Sequence, residues 1–595
     1  MCRLWRGGLC GIFLPTFVGD AVSGATWLAV SLVFFVSGLA YLAVLPGDET
    51  SSESVLLGLR RTGLAGTVRE FVGRHDPMVL GVPAVVFALF VAARAAFPAA
   101  TTGAVDAVSG AVLRQFGVFF LGTVLVAVAY CVFLLLGPWG DVRLGGPDAE
   151  PTYTYPTYFT LIFTAGIAAG IVFWGPAESL FHYQTPPPYF DAAPRSDAAV
   201  GGALTYALFH WGLSAWSAYA VVGVPVAYYV FERGAPLRVS AILTPFLGPD
   251  GLDTLPARVV DTLAVFATVG GIATSVALVS EQFLAGIGFQ WGVTTGQTGP
   301  VLFVGGLTLV VVLSAVTGVH RGIRRLAGVN VALFVLFAVV VAAVGPLGVV
   351  SDRGAAALGS YAVNFVPLSL HVGGAWVAEW TVWNWSWWFS WAPFAGLFVA
   401  ALSRGRRVRT VVFTGVVATS LATIAWFVLL GGTSLWVQRT GVADVLGAVA
   451  ARGGAETVVG FQVFAALPLG QLLTFLFLAL IVVFMATSAD TSTLVVSVLA
   501  AREGVAPSTG SVVFWGVFQG AVAVSLLLVG GGQTLQALAV LTGGPFAVLS
   551  LVALAGLTLS FYRRERGRGH ESLVTRLGSR LPTVQTHHDV EPPEE

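Results

Sequence analysis

The chain has 595 residues, of which 56% are hydrophobic and 10% charged, and its 30 acidic residues balance 30 arginines in the absence of any lysine. A typical soluble domain carries about 25% charged residues, and a nucleic-acid binder needs a basic surface. The figures therefore exclude a soluble globular protein, a disordered chain and a nucleic-acid-binding protein. The three cysteines (Cys2, Cys10 and Cys131) lack metal-site spacing and are too few for a disulfide scaffold. The composition predicts a polytopic membrane protein.

Apolar runs of about 20 residues are long enough to cross about 30 Å of hydrocarbon as helices. The alternating segments of about ten residues that are typical of membrane β-strands do not occur, so we predict an all-α fold. Thirteen runs qualify as spans. In chain order they are 25–46, 77–98, 115–137, 157–177, 200–230, 258–288, 300–318, 327–349, 376–402, 410–432, 467–498, 508–530 and 536–561.

The arginines are distributed unevenly between the predicted spans, and arginine is enriched in cytoplasmic loops. If residues 47–75 are cytoplasmic, every arginine cluster falls on that side, whereas the opposite loops hold single arginines. The pattern predicts twelve spans from residue 77 onward, with both ends of that unit and the C-terminus in the cytoplasm. The strongest clusters are Arg60, Arg61, Arg69 and Arg74; Arg321, Arg324 and Arg325; Arg404, Arg406, Arg407 and Arg409; and Arg563, Arg564, Arg566 and Arg568.

We divide the chain into an N-terminal extension (1–75), a membrane unit (76–562) and a cytoplasmic tail (563–595). Span 25–46 is interpreted as an extra helix followed by a cytoplasmic linker. A signal-like segment and a start codon assigned too far upstream are the alternatives. Residues 350–375 are too interrupted for a span, and they predict an outer loop with an interfacial helix.

The least ordinary stretch is 376–391, which holds seven tryptophans in sixteen residues. An aromatic belt at headgroup depth explains its beginning, but the stretch continues into the span. At 100° per residue, Trp385, Trp388 and Trp391 lie within about 120° of one another on a helix. A second cluster, Trp211, Trp216 and Tyr219, lies in span 200–230. Aromatic faces attract cations by about 0.5–2 kcal/mol each, and quaternary ammonium suits them best. Two such clusters suggest the walls of an aromatic box, although lipid-facing or packing aromatics remain an alternative for the second.

Two further patterns fit an ion site as well as ordinary packing. Gly166 and Gly170 form a GxxxG motif, which commonly serves helix packing, but the nearby Pro176 also allows a broken helix whose free carbonyls bind an ion. Residues 484–492 place consecutive hydroxyl groups and Asp490 in a deep span. Their hydroxyls either donate back to the helix backbone or coordinate Na⁺.

Enzyme motifs such as Walker A, HExxH and GxSxG do not occur, so we expect no enzyme and no direct use of ATP. Glu178, Glu281 and Asp490 are the acids nearest to span interiors. We interpret each of them as a packing or gating partner rather than a proton carrier.

These residues, in this order, resemble the betaine/choline/carnitine transporter family over about 76–562. The resemblance implies a twelve-helix unit of the sodium-symporter (LeuT) type with two peripheral helices and two inverted five-helix repeats, at about 157–349 and 376–561. It also implies a multi-pass protein of the plasma membrane and a homotrimer. The tryptophan-rich segment is the most specific landmark. The landmarks are 140–145 (GDVRLG), 173–178 (FWGPAE), His182 and Tyr183, 210–219, 385–394 (WSWWFSWAPF), 403–406 (SRGR) and 487–490 (TSAD).

The resemblance also assigns site residues. It places the substrate box on Trp211, Trp216, Tyr219 and Trp388, with Trp385, Trp387 and Trp391 along the pathway. It places the main Na⁺ site on the carbonyls of Thr164, Ile167 and Phe484 and the hydroxyls of Thr487 and Ser488. A second Na⁺ site of the family matches Thr268 and Phe394. A threonine of that second site is replaced here by Ile272, and a glycine of the third family span is replaced by Ala168.

The sequence therefore predicts a secondary active transporter that imports a quaternary-ammonium solute, most simply glycine betaine, with choline and carnitine as other candidates. Na⁺ is the expected coupling ion, no other cofactor is expected, and the expected mechanism is alternating access. A sodium-independent exchanger of carnitine-like compounds is the first alternative. A channel or a receptor that binds the solute without moving it is the second.

Overall fold

The computed structural model describes residues 71–166, 169–296, 298–317, 319–452, 456–529 and 531–567. Within these ranges the chain is helical, and its extended pairs are isolated bridges, His75 with Ala501 and Arg143 with Arg407. Predicted span 25–46, most of the linker after it and the tail from residue 568 lie outside the described residues, as do Ile167 and Ala168.

Sixteen helices of twelve or more residues, numbered here in chain order, lie in the described part of the chain. They are α1 (Pro77–Ala96), α2 (Pro98–Gln115), α3 (Gly117–Leu136), α4 (Tyr155–Gly166), α5 (Ala169–Gln184), α6 (Asp197–Trp211), α7 (Leu213–Arg233), α8 (Leu255–Trp291), α9 (Thr298–Thr317), α10 (Val319–Val344), α11 (Leu347–Leu370), α12 (Trp383–Leu402), α13 (Thr419–Thr440), α14 (Gly470–Ala500), α15 (Thr509–Val529) and α16 (Gly531–Gly567). Short helices lie between them, at Thr244–Leu247, Gly374–Trp376, Val408–Val412, Val445–Ala450 and Val459–Ala465. Single 3₁₀ turns occupy Pro138–Asp141, Pro188–Phe190, Val239–Leu243, Asp250–Asp253 and Glu456–Val458.

Every span predicted from residue 77 onward coincides with one of these helices or with a consecutive pair of them. By length and hydropathy, eight helical segments of the described chain can cross a membrane, or ten if each of two bent pairs is one span. In α1 and α9 the apolar part is shorter, at Pro77–Phe90 and Thr298–Ser314. The prediction of an all-α polytopic membrane protein is confirmed, whereas the two inverted repeats remain a prediction.

The sequence did not predict α2, because Thr101, Thr102, Asp106 and Arg114 interrupt its apolar residues. The helix predicted within 350–375 is present as α11. Its axis turns by 101° into the tryptophan-rich segment that follows. This geometry agrees with a helix that lies along the membrane surface ahead of one that enters the membrane.

Predicted span 157–177 is a broken helix. α4 ends at Gly166, α5 begins at Ala169, and the two axes meet at 65°. Pro176 lies inside α5. The break that these glycine and proline residues suggested is therefore present.

The two aromatic clusters lie on neighbouring helices, because α7 and α12 pack side by side. Their backbones approach at Gly223 and Gly396, where a Cβ added to Gly223 would lie 2.9 Å from the Gly396 carbonyl oxygen. Only glycine permits this approach. The tryptophan-rich segment begins as one π-helical turn, Val377–Val382, before α12.

Loops that carry arginines predicted on the cytoplasmic side contact one another. The 140–145 loop pairs with the 403–407 loop through Arg143 and Arg407, and Arg564 binds Glu232. The single arginines of the opposite loops include Arg353 and Arg439, and both of these approach Asp197. The cytoplasmic assignment of the C-terminus remains a prediction.

Candidate functional site

The first aromatic cluster is divided between two helices. Trp211 is the last residue of α6, whereas Trp216 and Tyr219 lie in the first turns of α7. The helices separate at Gly212, where an added Cβ would lie 2.6 Å from the Leu208 carbonyl oxygen. The sequence prediction of one continuous helix over 200–230 missed this division.

The structure brings the four predicted box residues together. The Trp388 ring centroid lies 4.9 Å from that of Tyr219, 5.7 Å from that of Trp216 and 5.6 Å from that of Trp211. All four side chains are buried, with at most 4% of their surface exposed. Residues separated by up to 177 positions in the sequence thus form one aromatic cluster around Trp388.

A narrow cavity lies beside this cluster and against the broken helix. Two of the predicted pathway residues, Trp387 and Trp391, line it, but Trp385 does not. Trp385 packs against Phe209 and His210 instead, with ring centroids 5.3 and 5.7 Å away. The complete lining is Gly166, Gly170, Ile171, Trp211, Tyr219, Trp387, Trp388 and Trp391.

The glycines of the broken helix allow the rings to approach. A Cβ at Gly166 would lie 2.6 Å from the Trp216 ring, and a Cβ at Gly170 would lie 2.5 Å from the Trp387 ring. Cβ atoms in protein structures essentially never lie this close to another heavy atom. The GxxxG motif therefore serves close packing here, and what it packs against is the aromatic site.

The indole N–H groups of the box and pathway tryptophans differ in their partners, and Trp216 belongs to the cluster but does not line this cavity. Trp211 donates to Glu178 Oε2, and Trp216 donates to Thr423 Oγ1 at 3.1 Å. Among the described residues, the buried indole nitrogens of Trp387, Trp388 and Trp391 have no hydrogen-bond partner. An unsatisfied buried N–H costs about 1–3 kcal/mol, so a ligand that accepts hydrogen bonds would be stabilised here.

Two residues that sequence reasoning missed complete the site. Phe427 stacks on Trp211 at 5.1 Å with an interplanar angle of 21°. Trp426 donates its N–H to the Ile171 carbonyl oxygen at 3.1 Å and stacks on Phe334 at 4.1 Å. Both lie on α13, whose apolar sequence resembles that of any other span, so no local signal distinguishes them.

Glu178 lies behind Trp211 in a buried group with His182 and His210. Its Oε1 lies 2.6 Å from His210 Nδ1 and 3.2 Å from His182 Nε2. One ligand atom from each of the three side chains falls within 4.8 Å of the others, so the set has the composition of a metal site. The direct contacts of Oε1 with both imidazoles instead make it a hydrogen-bonded network.

The residues assigned to the main Na⁺ site lie on α4 and α14, which are in contact. Thr164, Phe484, Thr487 and Ser488 are all buried, and Ile167 lies outside the described residues. The Thr487 hydroxyl donates to the Val483 carbonyl oxygen at 2.8 Å. This is the back-bonding expected of helix threonines, and it leaves the lone pairs of the hydroxyl oxygen available.

The second Na⁺ assignment concerns α8 and α12, which also pack together. The Thr268 hydroxyl donates to the Ala264 carbonyl oxygen at 2.8 Å, and Phe394 is buried with its ring 5.6 Å from that of Trp391. Ile272 is buried as well. An isoleucine side chain offers no oxygen ligand, so the assigned residues of α8 and α12 provide fewer side-chain oxygen ligands for Na⁺ than those of α4 and α14.

Comparison with known proteins identifies the chain's relatives. The model of the betaine/carnitine/choline family transporters matches residues 78–566. The glycine betaine transporter OpuD of Bacillus subtilis is 34% identical over 76% of this chain and 88% of its own length. Glycine betaine transporter 1 of Vibrio parahaemolyticus is 33% identical over 82% and 93%. An ectoine/hydroxyectoine transporter of Virgibacillus pantothenticus is 34% identical over 76% and 90%.

Among solved structures, a Na⁺-coupled sialic acid symporter aligns with 74% of this chain and 87% of its own, with a TM-score of 0.45 and 11% identity. At that distance the alignment carries no inference about substrate or ion coupling. The curated relatives are named as transporters, in agreement with the sequence prediction that the chain is not an enzyme.

Proposed function

The chain belongs to the betaine/carnitine/choline family of membrane transporters, and on that premise we propose that it imports glycine betaine, or a closely similar quaternary-ammonium solute, by Na⁺ symport. Substrate binds between α5, α6, α7 and α12, and transport proceeds by alternating access across the plasma membrane. The observation that carries the proposal is the cluster of Trp211, Trp216 and Tyr219 around Trp388.

The chemistry of the cavity selects a fully methylated cation. Its lining consists of glycine, isoleucine, tryptophan and tyrosine, so the Tyr219 hydroxyl is the one side-chain acceptor among the described lining residues. A cation that carries N–H groups would lose hydrogen bonds to water there without replacement. A trimethylammonium group has no N–H to satisfy, and each desolvated ring face attracts it by about 0.5–2 kcal/mol.

The free indole N–H groups suit the other end of the same solute. Glycine betaine carries a carboxylate, which accepts hydrogen bonds. Trp387 and Trp388 line the cavity, and their buried indole N–H groups have no hydrogen-bond partner among the described residues, whereas the indole nitrogen of Trp391 lies close to Gly271 of α8. Choline has a hydroxyl in place of the carboxylate and would form a weaker hydrogen bond with them. The site therefore favours betaine over choline.

The hydroxyl groups on α14 support the proposal of Na⁺ coupling. Thr487 and Ser488 provide hydroxyl oxygens on a helix that contacts α4, and α4 and α5 meet at an angle of 65°. Free carbonyls at a broken helix are a common ion site in transporters. A Na⁺ ion at this place stabilises the bent form of α4 and α5, and that form positions Gly166 and Gly170 against the aromatic rings.

Two alternatives are distinguished by one transport assay. The ectoine/hydroxyectoine transporter among the relatives raises a cyclic solute as a second candidate, and sodium-independent exchange is the alternative mechanism. Uptake of radiolabelled glycine betaine, choline, carnitine and ectoine is measured in proteoliposomes with an inward Na⁺ gradient and with K⁺ replacing Na⁺. We expect concentrative betaine uptake that requires Na⁺. Counterflow in Na⁺-free liposomes would instead establish an exchanger.

The aromatic box is tested by Trp388→Ala, which removes the ring that the other three contact. We expect betaine uptake to be lost while the protein still inserts and remains monodisperse in detergent. Trp515→Ala is the matched control, because Trp515 is fully buried and its indole nitrogen also lacks a partner, but it does not line the cavity. Normal uptake by the Trp388 variant would refute the box.

A further inference from the structure

Glu178 is a charged residue that does not line the cavity but contacts a tryptophan that does. Its side chain is 1% exposed, and the two histidines that it contacts are fully buried. One carboxylate oxygen accepts the indole N–H of Trp211, which lines the cavity. Through this hydrogen bond the Trp211 indole links the carboxylate to the cavity wall.

The network around Glu178 has enough donors to keep it ionised. His210 Nδ1 and His182 Nε2 lie within hydrogen-bond distance of Oε1, and Trp211 donates to Oε2. His210 Nε2 in turn lies 2.9 Å from the Thr381 hydroxyl, which can donate to it. Three donors satisfy the buried carboxylate without requiring a proton on it. Each imidazole can donate from one ring nitrogen, and the group carries one negative charge when both imidazoles are neutral.

The orientation of Trp211 is also fixed. Phe427 covers one of its faces in a stacked arrangement, whereas Trp387 and Trp388 stand at 87° and 72° to its plane. The hydrogen bond to Glu178 sets the remaining rotation of the indole about its side-chain bonds. The carboxylate therefore determines which part of the ring is presented to the cavity.

We propose that Glu178 is a positioning residue that strengthens the affinity of the aromatic box for a cation through Trp211. This inference rests on the proposed function and specifies how its binding site obtains negative potential. A carboxylate that accepts the N–H bond raises the electron density of the indole ring, and its charge is poorly screened in a buried site. Both effects make the exposed part of the Trp211 ring more attractive to a quaternary ammonium group.

The test is a double-substitution cycle. Betaine uptake kinetics are measured in proteoliposomes for wild type, Glu178→Gln, Trp211→Phe and the double variant. Glutamine keeps the size of the side chain and removes its charge, and phenylalanine keeps a ring and removes the N–H donor. We expect Glu178→Gln to raise KM by about fivefold, within the range of one weakened cation–π contact, with Vmax within twofold of wild type. Added to Trp211→Phe, it should produce little further change.

A merely structural role would lower Vmax and the amount of folded protein rather than raise KM, and its effect would multiply with that of Trp211→Phe. Either an unchanged KM for Glu178→Gln or multiplicative effects would overturn the proposal. Glu281→Gln is the matched control, since Glu281 is another acid within a span but does not line the cavity. If Glu178→Gln does not fold, Glu178→Asp keeps the charge and shortens the reach, and it should also raise KM.

Binding of tetramethylammonium to detergent-solubilised protein, followed by isothermal titration calorimetry, separates this proposal from the transport function. If wild type binds tetramethylammonium but does not import betaine, the proposed function fails. The expected fivefold weakening by Glu178→Gln then supports the positioning role, and its absence refutes that role. If wild type does not bind tetramethylammonium, the role of Glu178 in cation binding is refuted as well.

Discussion

The sharpest test of the site's geometry is a single methyl group added at Gly170. Gly170 is the second residue of α5, next to the helix break, and it lines the cavity. An alanine Cβ at this position would lie 2.5 Å from the nearest carbon of the Trp387 ring and 3.2 Å from the next. The substitution therefore acts on the wall of the cavity without touching any polar group.

The size of the effect follows from these distances. Ordinary van der Waals contact begins at 3.4 Å, so the Trp387 ring or α5 must move by 3.4 − 2.5 = 0.9 Å. The ring stands at 87° to Trp211, and its other neighbour, Trp383, stacks on it at 5.4 Å. Overpacking of this kind costs about 1–3 kcal/mol. If that strain must be overcome when substrate enters, affinity falls by about 5- to 150-fold.

The assay is initial-rate betaine uptake in proteoliposomes, with the thermal stability of the purified protein measured in parallel. We expect Gly170→Ala to raise KM by at least about fivefold. Gly122→Ala in α3 is the control, because nothing lies within 4 Å of the added Cβ there. Alanine is otherwise the better helix former by about 1 kcal/mol, so this control should be at least as stable as wild type. An unchanged KM for a well-folded Gly170→Ala would refute the arrangement of Trp387 described here.

Two further outcomes test other parts of the chain. Thr487→Ala combined with Ser488→Ala should raise the Na⁺ concentration for half-maximal uptake by about tenfold or more, as expected for the loss of bonds to a charged group. Thr491→Ala is the control and should not raise it, because it removes the same kind of back-bonded hydroxyl one turn later. Equal Na⁺ dependence in both variants would contradict the assignment. Burial, and secondarily the nearby charge of Glu281, raises the pKa of Glu456 from its ordinary value of 4.5 to about 7. Because the folded chain then favours the protonated acid, its stability should fall as pH rises from 4.5 to 7, and Glu456→Gln should lessen that fall when thermal unfolding is followed between pH 5 and pH 8.

The membrane helices could be predicted from the sequence because the signal for each one is local. A run of about 20 apolar residues is sufficient to specify a span, and Gly166 with Pro176 was sufficient to suggest the break between α4 and α5. α2 was missed for the same reason, since a helix that includes Asp106 and Arg114 has no such run. Local composition thus accounts for the helices and for the one that was overlooked.

The aromatic box required more than local pattern, and the family resemblance supplied it. Helical periodicity grouped Trp385 with Trp388 and Trp391, but Trp385 packs against Phe209 and His210, away from the cavity. Periodicity gives the angle between side chains on one helix, whereas the neighbouring helices decide which angle faces the site. In this protein α6 covers the face that Trp385 occupies.

The interpretation of Glu178 as a packing or gating partner rather than a proton carrier stays a prediction, and it did not name the residue that Glu178 contacts. Its contact with Trp211 spans 33 positions and two helices, and nothing in the FWGPAE sequence indicates which indole it would meet. The same holds for Phe427, which lies 216 positions from the ring that it stacks on. Contacts of this kind depend on how helices pack, and one sequence does not specify them.

The proposed substrate and Na⁺ sites would separate the two cations by their chemistry. A permanent organic cation cannot form a hydrogen bond with a carboxylate, so a carboxylate placed in the cavity would lose its hydration and gain only Coulomb attraction in return. Glu178 instead keeps three hydrogen-bond donors whether or not a solute is bound, and the Trp211 ring stands between its charge and the cavity. A small ion such as Na⁺ prefers oxygen ligands, which the ring faces do not offer, whereas Thr487 and Ser488 do. In the proposed arrangement neither cation binds at the other's site, because the ligands that it prefers are missing there. Both sites adjoin the same broken helix, through which their occupancies can be coupled.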